Sequence, residues 1–255
     1  MHLGNGAITP GCAVVSSVMA ASGLAFAGTI AWRLGLTRQK VAMAGAVGAA
    51  IFAAQAVNVP VSPWSSAHLV GGVLAAWVLG PAIGPLVMAA VLAIQALWLH
   101  DGAVSTLGVN IINMGLLPAL AVTAARRGMA NQPWHVQVGV AALASIIGAA
   151  TLIIGEVALF RPAGSLVNLG GFARAMLGMH ALIALAEAGA TVLLIHLMAS
   201  QQAATVRRPL RRVLAVAAIT AALFLAALPW SSHRPDGYES AAQHSGLATV
   251  LNPQP

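Results

Sequence analysis

Charged residues are scarce in this 255-residue chain: they make up 7% of it, whereas hydrophobic residues make up 59%. A soluble domain carries about 25% charged residues. The mean hydropathy of +0.88 therefore predicts an integral membrane protein. Its apolar runs are long and lack the alternation of a transmembrane barrel strand, so we expect an all-α bundle.

The chain has a single cysteine, Cys12. One thiol excludes an internal disulfide and any metal site built from a cysteine cluster. The only lysine, Lys40, follows no glycine-rich loop, so there is no P-loop. The His-Glu-x-x-His and Gly-x-Ser-x-Gly motifs of metalloproteases and hydrolases are missing as well. We therefore do not expect an enzyme, and any ATP-driven work would need partner subunits.

Eight apolar segments follow one another, at residues 11–32, 41–58, 68–80, 84–99, 107–125, 136–159, 172–199 and 213–229. A membrane-spanning helix needs about 20 apolar residues. The third and fourth segments are shorter, and Gly-Pro pairs at residues 80–81 and 84–85 interrupt them. They form either two short tilted helices or one broken helix. The sequence thus predicts a bundle of seven or eight transmembrane helices.

The charges that are present predict an orientation. There are 12 basic and 5 acidic residues, with no basic patch interleaved with aromatic residues, so we exclude nucleic acid as a partner. Most of the basic residues lie in three connections: Arg33, Arg38, Lys40, Arg126, Arg127, Arg207, Arg208, Arg211 and Arg212. Alternating spans put these connections on one side, which the positive-inside rule makes cytoplasmic. Both termini and the 59–67 and 100–106 loops are then extracytoplasmic.

Small residues and the polar tail allow less specific predictions. Glycine, alanine and serine recur within the spans, as at residues 20–23 and 45–50. They let helices approach closely in lipid, either within this chain or at the surface of a membrane partner. The tail from residue 230 has the composition of turns and shows no apolar pattern.

The second residue, His2, brings three nitrogens together: the amine of Met1, the backbone amide of His2 and the His2 imidazole. Around one ion they close adjoining five- and six-membered rings, and such a flat, nitrogen-rich site suits Ni²⁺ or Cu²⁺. Residues 1–10 carry no Lys or Arg, so we expect an uncleaved helix rather than a signal peptide. His68, where a loop re-enters the membrane, is either a fourth ligand or an interfacial histidine bonded to a backbone carbonyl.

Other polar residues lie within the apolar segments. Asn110 and Asn113, three apart on one helix face, either hydrogen-bond a neighbouring helix or hold a loop near the site. His180 and Glu187 share a face of the seventh segment. Because a charge inside a membrane needs a partner or a proton, we predict that these two lock helices together. The predicted outer face also carries carboxylates that would attract cations: Asp101, Asp236 and Glu239.

Four stretches in order resemble the substrate-binding membrane component (CbiM/NikM type) of energy-coupling-factor cobalt and nickel importers. They are Met1-His2, residues 66–72 (SAHLVGG), Asp101-Gly102 with residues 108–115 (GVNIINMG), and residues 178–183 (GMHALI) with Glu187. The resemblance covers roughly residues 1–200. Residues 235–239 (PDGYE) resemble the Pro-Asp-Gly-Leu-Glu element of the auxiliary N component, with tyrosine in place of leucine.

This resemblance implies a metal-binding membrane domain over residues 1–205. Residues 206–255 would form a last transmembrane helix with an outer, auxiliary-like tail. In the family, Ni²⁺ or Co²⁺ is bound from outside by the Met1 amine, the His2 amide and imidazole, and the histidine that matches His68. A transmembrane scaffold (T) subunit and two cytoplasmic ATPase subunits drive import. The chain would be a multi-pass protein of a bacterial inner membrane with no permanent cofactor, the ion being its cargo.

We expect a further set of residues to hold the ligands in place: Gly4, Asn5, Gly6, Ser66, Asp101, Asn110 and Asn113. Two other functions remain open at this stage. A membrane metalloenzyme would build its centre from His68, His180 and Glu187, and a secondary permease would work without ATPase partners. The same four nitrogens serve either ion, so the residues do not choose between Ni²⁺ and Co²⁺.

Overall fold

The structure is a computed structural model that describes residues 3–4, 7–161, 167–200 and 209–247, most of them helical. The first helices are α1 (Pro10–Arg33), α2 (Arg38–Gln55), α3 (Gly72–Leu79) and α4 (Gly84–Ile94), which a π-helical turn at Gln95–Leu99 extends. A 3₁₀ turn (Val104–Thr106), α5 (Leu107–Ile111), a π-helical turn (Ile112–Leu116) and α6 (Leu117–Gly128) then form one continuous rod. The remaining helices are α7 (Trp134–Phe160), α8 (Leu169–Ser200), α9 (Pro209–Ala227, followed by a 3₁₀ turn at Leu228–Trp230) and α10 (Gly237–Ser245).

Each predicted apolar segment contains a helix. Within the described residues, four helices are long and apolar enough to cross a membrane: Pro10–Arg33, Val104–Gly128, Trp134–Phe160 and Leu169–Met198. The third and fourth segments form two separate short helices, because Gly80 turns the chain with φ at +87°. The start of α4 then packs on the backbone of α3, where a Cβ on Gly84 would lie 2.7 Å from the Ala76 nitrogen.

The described residues are mostly helical, as predicted, with one exception between α2 and α3. There β1 (Val59–Ser62) and β2 (Ser65–Ala67) form an antiparallel hairpin, in which Val59 lies opposite Ala67. The strands are too short for a periodic pattern, and Pro60 weakens the signal further. This hairpin leads directly into the loop that carries His68.

Small residues pack helices within this chain. α1 lies along α5, and a Cβ on Gly108 would come within 2.5 Å of the Ser17 nitrogen. Gly23 packs against Leu116 in the same way, and Gly48 packs against Val87. α7 packs on α6 and α8, and α9 packs along α2. At these three glycines, small residues therefore let helices of this chain pack closely, as predicted. Gly45 differs, since no atom lies within 4 Å of its Cβ position.

The polar tail contains a helix, α10, which corrects the prediction of turns alone. Asp236 is the N-cap of α10: its carboxylate accepts the Glu239 N–H at 2.8 Å, and the Glu239 carboxylate accepts the Asp236 N–H at 3.0 Å. Tyr238 is buried edge-on against Phe172, with the ring centroids 6.3 Å apart. Burial raises the pKa of the Tyr238 hydroxyl. The Asp-x-x-Glu spacing of a capping box was the signal in the sequence for this helix.

Candidate functional site

The hairpin and the tail meet at one end of the bundle. The Ser66 hydroxyl donates to the Arg234 carbonyl at 2.7 Å, and the Ser66 N–H donates to the Pro235 carbonyl at 2.9 Å. In return, the Arg234 guanidinium donates to the Ser62 carbonyl at 2.8 Å. Ser66, predicted to support the site, thus joins the hairpin to the tail two residues before His68.

His68 is half-buried in the loop that follows this hairpin. Its Nδ1 lies 3.0 Å from the carbonyl oxygen of Leu69. Because a carbonyl only accepts hydrogen bonds, Nδ1 carries the proton, and in the neutral ring Nε2 holds the lone pair. Ligating histidines in proteins commonly have this arrangement, with the second nitrogen donating to a carbonyl or carboxylate.

Asp236 lies beside His68, since both line a cavity of about 10 Å³. Burial works to raise the pKa of Asp236, but nearby positive charge and the Glu239 amide lower it more. The net result is a pKa below the ordinary value for aspartate. The cavity therefore has a negatively charged wall, which favours a cation.

The N-terminal segment is anchored through Leu3, which is fully buried. The Asn110 side chain binds both backbone groups of Leu3: Oδ1 accepts its N–H at 3.0 Å, and Nδ2 donates to its carbonyl at 3.4 Å. The Thr106 hydroxyl donates to the same carbonyl. Met1, His2, Asn5 and Gly6 lie outside the described residues. The residue next to His2 is nevertheless held by two side chains of the Val104–Gly128 rod.

Leu3 and His68 lie at the same end of the bundle. Asn110 precedes Met114 by about one helical turn, and a Cβ on Gly72, four residues after His68, would overlap the Met114 carbonyl oxygen. Three other predicted supporting residues make none of the hydrogen bonds described above. The Gly4 carbonyl accepts the Ala7 N–H at 3.3 Å, Asp101 is exposed, and the buried Asn113 amide has no hydrogen-bond partner among the described residues.

Glu187 binds backbone rather than another side chain. Its two oxygens accept the N–H groups of Val70 and Gly71 at 2.9 and 2.8 Å, so it ties α8 to the His68 loop. His180 donates within its own helix, to the Met176 carbonyl at 2.8 Å. In the part of the chain that the structure describes, no three His, Cys, Asp or Glu side chains form a metal-binding group. His68, His180 and Glu187 therefore do not form the metal centre of a metalloenzyme.

Gly237 of the tail packs against His180. A Cβ at this position would lie 3.0 Å from His180 Cε1 and 3.2 Å from Ile183 Cδ1. Any larger residue would push the tail away from α8. The close packing therefore explains why the PDGYE stretch has glycine at this position.

Sequence reasoning missed Thr106, Gln55 and Gln95. The two glutamines are 2% and 1% exposed, and Gln95 Nε2 donates to Gln55 Oε1 at 2.8 Å. A polar residue inside an apolar segment was the available signal. Such a residue must have a hydrogen-bond partner, but the sequence does not show which residue that partner is.

The sequence profile of the CbiM family, described as the cobalt uptake substrate-specific transmembrane region, matches residues 2–205. The chain belongs to this family. Its members are transport proteins rather than enzymes, so the metalloenzyme alternative is wrong and the prediction of a non-enzyme is confirmed.

Named relatives agree with this assignment. A protein of Archaeoglobus fulgidus named as a fused nickel transport protein, NikMN, is 52% identical over 73 residues, which are 29% of this chain and 25% of that protein. A protein of Methanosarcina barkeri named as a cobalt transport protein, CbiM, is 34% identical over 127 residues, 49% of this chain and 54% of that one. The matched regions thus span between a quarter and about half of these relatives' lengths.

A solved structure shares the fold. The crystal structure of a transition metal transporter aligns with a TM-score of 0.65 at 25% identity, and the alignment covers 81% of this chain and 96% of that one. Together with the four candidate spans, it shows that this CbiM-family chain is a multi-pass membrane protein.

Proposed function

We propose that the chain is the substrate-capture subunit of an ATP-driven, energy-coupling-factor importer of Ni²⁺ or Co²⁺. Membership of a cobalt-uptake family supports metal transport. The observation that carries the proposal is the anchoring of Leu3 by Asn110 and Thr106 at the end of the bundle where His68 lies. This anchor would keep His2 at the same end of the bundle as a second imidazole.

The proposed ligands are the Met1 amine, the His2 amide and imidazole, and Nε2 of His68. The proton on Nδ1 of His68, bound by the Leu69 carbonyl, leaves the tautomer that a metal ligand needs. Asp236, which keeps its charge, adds attraction for the cation at short range without joining the ligand set.

We also propose that the His68 end faces away from the cytoplasm. Exposed tryptophans lie at that end, in the hairpin, after α4 and after α9: Trp64, Trp98 and Trp230. Trp32 is exposed at the opposite end, near the basic residues between α1 and α2. Tryptophans at two levels are typical of the two membrane interfaces, and the basic end is then cytoplasmic.

An ATP-driven importer built on this chain would need ATPase subunits as partners. Without a P-loop in this chain, ATP hydrolysis would come from two cytoplasmic ATPase subunits joined through a transmembrane scaffold subunit, in a bacterial inner membrane. Residues 206–255 would supply the auxiliary part in the same chain, since the tail binds the His68 hairpin directly. A secondary permease working alone would instead import metal in cells without the ATPase subunits.

Replacing His68 by alanine should lower Ni²⁺ and Co²⁺ affinity about 100-fold, because one of four nitrogens is lost while the N-terminal chelate stays. The measurement is equilibrium binding of radiolabelled ion to the purified chain in detergent. The matched control is His233→Ala, which removes an exposed histidine from the tail. Equal affinities of the His68 variant and the wild type would contradict the proposed site.

Replacing Asn110 by alanine should weaken ion binding about tenfold, since both bonds to the Leu3 backbone are lost and the N-terminal segment gains freedom. Asn113→Ala is the comparison, because Asn113 lies near Asn110 in sequence and has no described hydrogen-bond partner. We expect the Asn113 variant to keep nearly the affinity of the wild type. A reversed order of the two variants, measured by the same binding assay, would count against the anchoring role of Asn110.

A further inference from the structure

A single peptide group connects His68 to α8. The Leu69 carbonyl accepts the His68 Nδ1–H at 3.0 Å. The Val70 N–H, the other half of the same planar unit, donates to Glu187 Oε2 at 2.9 Å. Glu187 Oε1 also accepts the Gly71 N–H at 2.8 Å. The imidazole and the carboxylate are therefore the two ends of one hydrogen-bonded chain.

The loop is held on its other side as well. Gln55 Nε2 donates to the Val70 carbonyl at 2.7 Å and is itself held by Gln95. Gln55 and Glu187 are 2% and 4% exposed, so water does not compete for these bonds. Val70 is thus hydrogen-bonded to α2 through its carbonyl and to α8 through its N–H.

The backbone at the next residue has little freedom to move. Gly71 has φ at +77°, a conformation that favours glycine. Its Cβ position is 2.7 Å from an Ile51 carbon atom. A shift of the loop would therefore break the Glu187 bonds or strike Ile51.

Hydrogen bonds in a chain polarise one another. A carboxylate that binds the N–H of a peptide group makes the carbonyl of that group a stronger acceptor. The carbonyl in turn fixes the ring that donates to it. Ligating histidines usually have such a partner on their second nitrogen, and loss of the partner costs 10- to 100-fold in metal affinity, as an order of magnitude.

We propose that Glu187 is a positioning residue for the His68 ligand, acting through the Leu69–Val70 peptide group to fix the plane of the imidazole and keep its proton on Nδ1. This inference rests on the proposed function, in which His68 binds the ion. It also assigns Glu187 a part in selectivity. A fourth nitrogen held in one plane suits the square-planar preference of Ni²⁺ more than the tetrahedral preference of Zn²⁺.

The test is Glu187→Gln. The glutamine side chain has one oxygen and one NH₂ group, so one of the two N–H groups, of Val70 or Gly71, faces another donor and loses its hydrogen bond. We expect Ni²⁺ affinity to fall by roughly 10- to 100-fold, Zn²⁺ affinity to change less, and the visible absorption band of bound Ni²⁺ to shift as the ligand plane distorts. Glu156→Gln is the matched control: it makes the same chemical change in α7, where one carboxylate oxygen is buried without a described partner. It should change none of these readouts.

A double-mutant cycle separates positioning from general damage. With His68 already replaced by alanine, Glu187→Gln should have almost no further effect on Ni²⁺ binding. An equal loss in both backgrounds, or an unchanged absorption band and Ni²⁺-to-Zn²⁺ ratio, would overturn the inference. The proposed function fails separately, by equal binding of wild type and His68→Ala. Thermal unfolding of each purified variant shows that the proteins compared are folded.

Discussion

A chain extended by four residues without histidine ahead of Met1 should lose Ni²⁺ affinity by about 1,000-fold or more. The extension turns the Met1 amine into an amide, so the five-membered ring between the amine and the His2 amide no longer forms. Radiolabelled nickel binding to the purified protein measures the loss. The extension has to exceed one residue, because histidine in third position would create another four-nitrogen site at the new terminus.

The same protein provides the control for this extension. A protease that cuts directly before Met1 regenerates the free amine, and binding should return in the same sample. Recovery would exclude misfolding as the cause of the loss. Full affinity before cleavage would disprove the N-terminal chelate, while leaving the family membership of the chain intact.

Lowering the pH from 7.5 to 5.5 should weaken Ni²⁺ binding by roughly 10⁶-fold. Each nitrogen has to lose its proton before it binds the ion. Over this range the α-amine (pKa about 7.8) and two imidazoles (pKa about 6.5) become protonated, and the amide always releases one proton on binding. Asp236, whose lowered pKa keeps it charged, stabilises the protonated form of the neighbouring His68. Asp236 therefore also makes Ni²⁺ binding weaker as the pH falls.

Proton release gives an independent measure of this dependence. At pH 7.5 the binding of one ion should release about two protons, mainly from the amine and the amide. Titration of metal into weakly buffered protein, followed with a pH indicator, counts them. A site of carboxylates would release almost none at this pH, so a count near zero would exclude the four-nitrogen ligand set.

Local pattern in the sequence accounts for the helices and for the choice of His68. Apolar runs locate every long helix, and His68 is marked by its place at a loop that re-enters the membrane. The hairpin at residues 59–67 and helix α10 were missed, since each is too short for hydrophobic periodicity to register. α10 depends instead on one capping box and on the burial of Tyr238.

The contacts around the site could not be predicted in the same way. Asn110 and Glu187 stand out as polar residues in apolar helices. Their partners, the backbone groups of Leu3 and Val70, lie 107 and 117 residues away in the chain. Every non-proline residue has the same backbone N–H, so the sequence does not distinguish these partners from other residues. The packing of α5 and α8 determines which backbone groups Asn110 and Glu187 bind.

The short helix α3 has a consequence for the lipid around the protein. Its eight residues cover about 12 Å, less than half of a hydrocarbon core of about 30 Å. The Arg126 guanidinium reaches its end, lying 4.2 Å over the Trp77 ring and donating to the Trp77 carbonyl at 2.9 Å. A guanidinium drawn inward brings water and headgroups with it. We therefore expect the bilayer to be thinner beside Trp77 than around α7, and the protein to favour thin membranes.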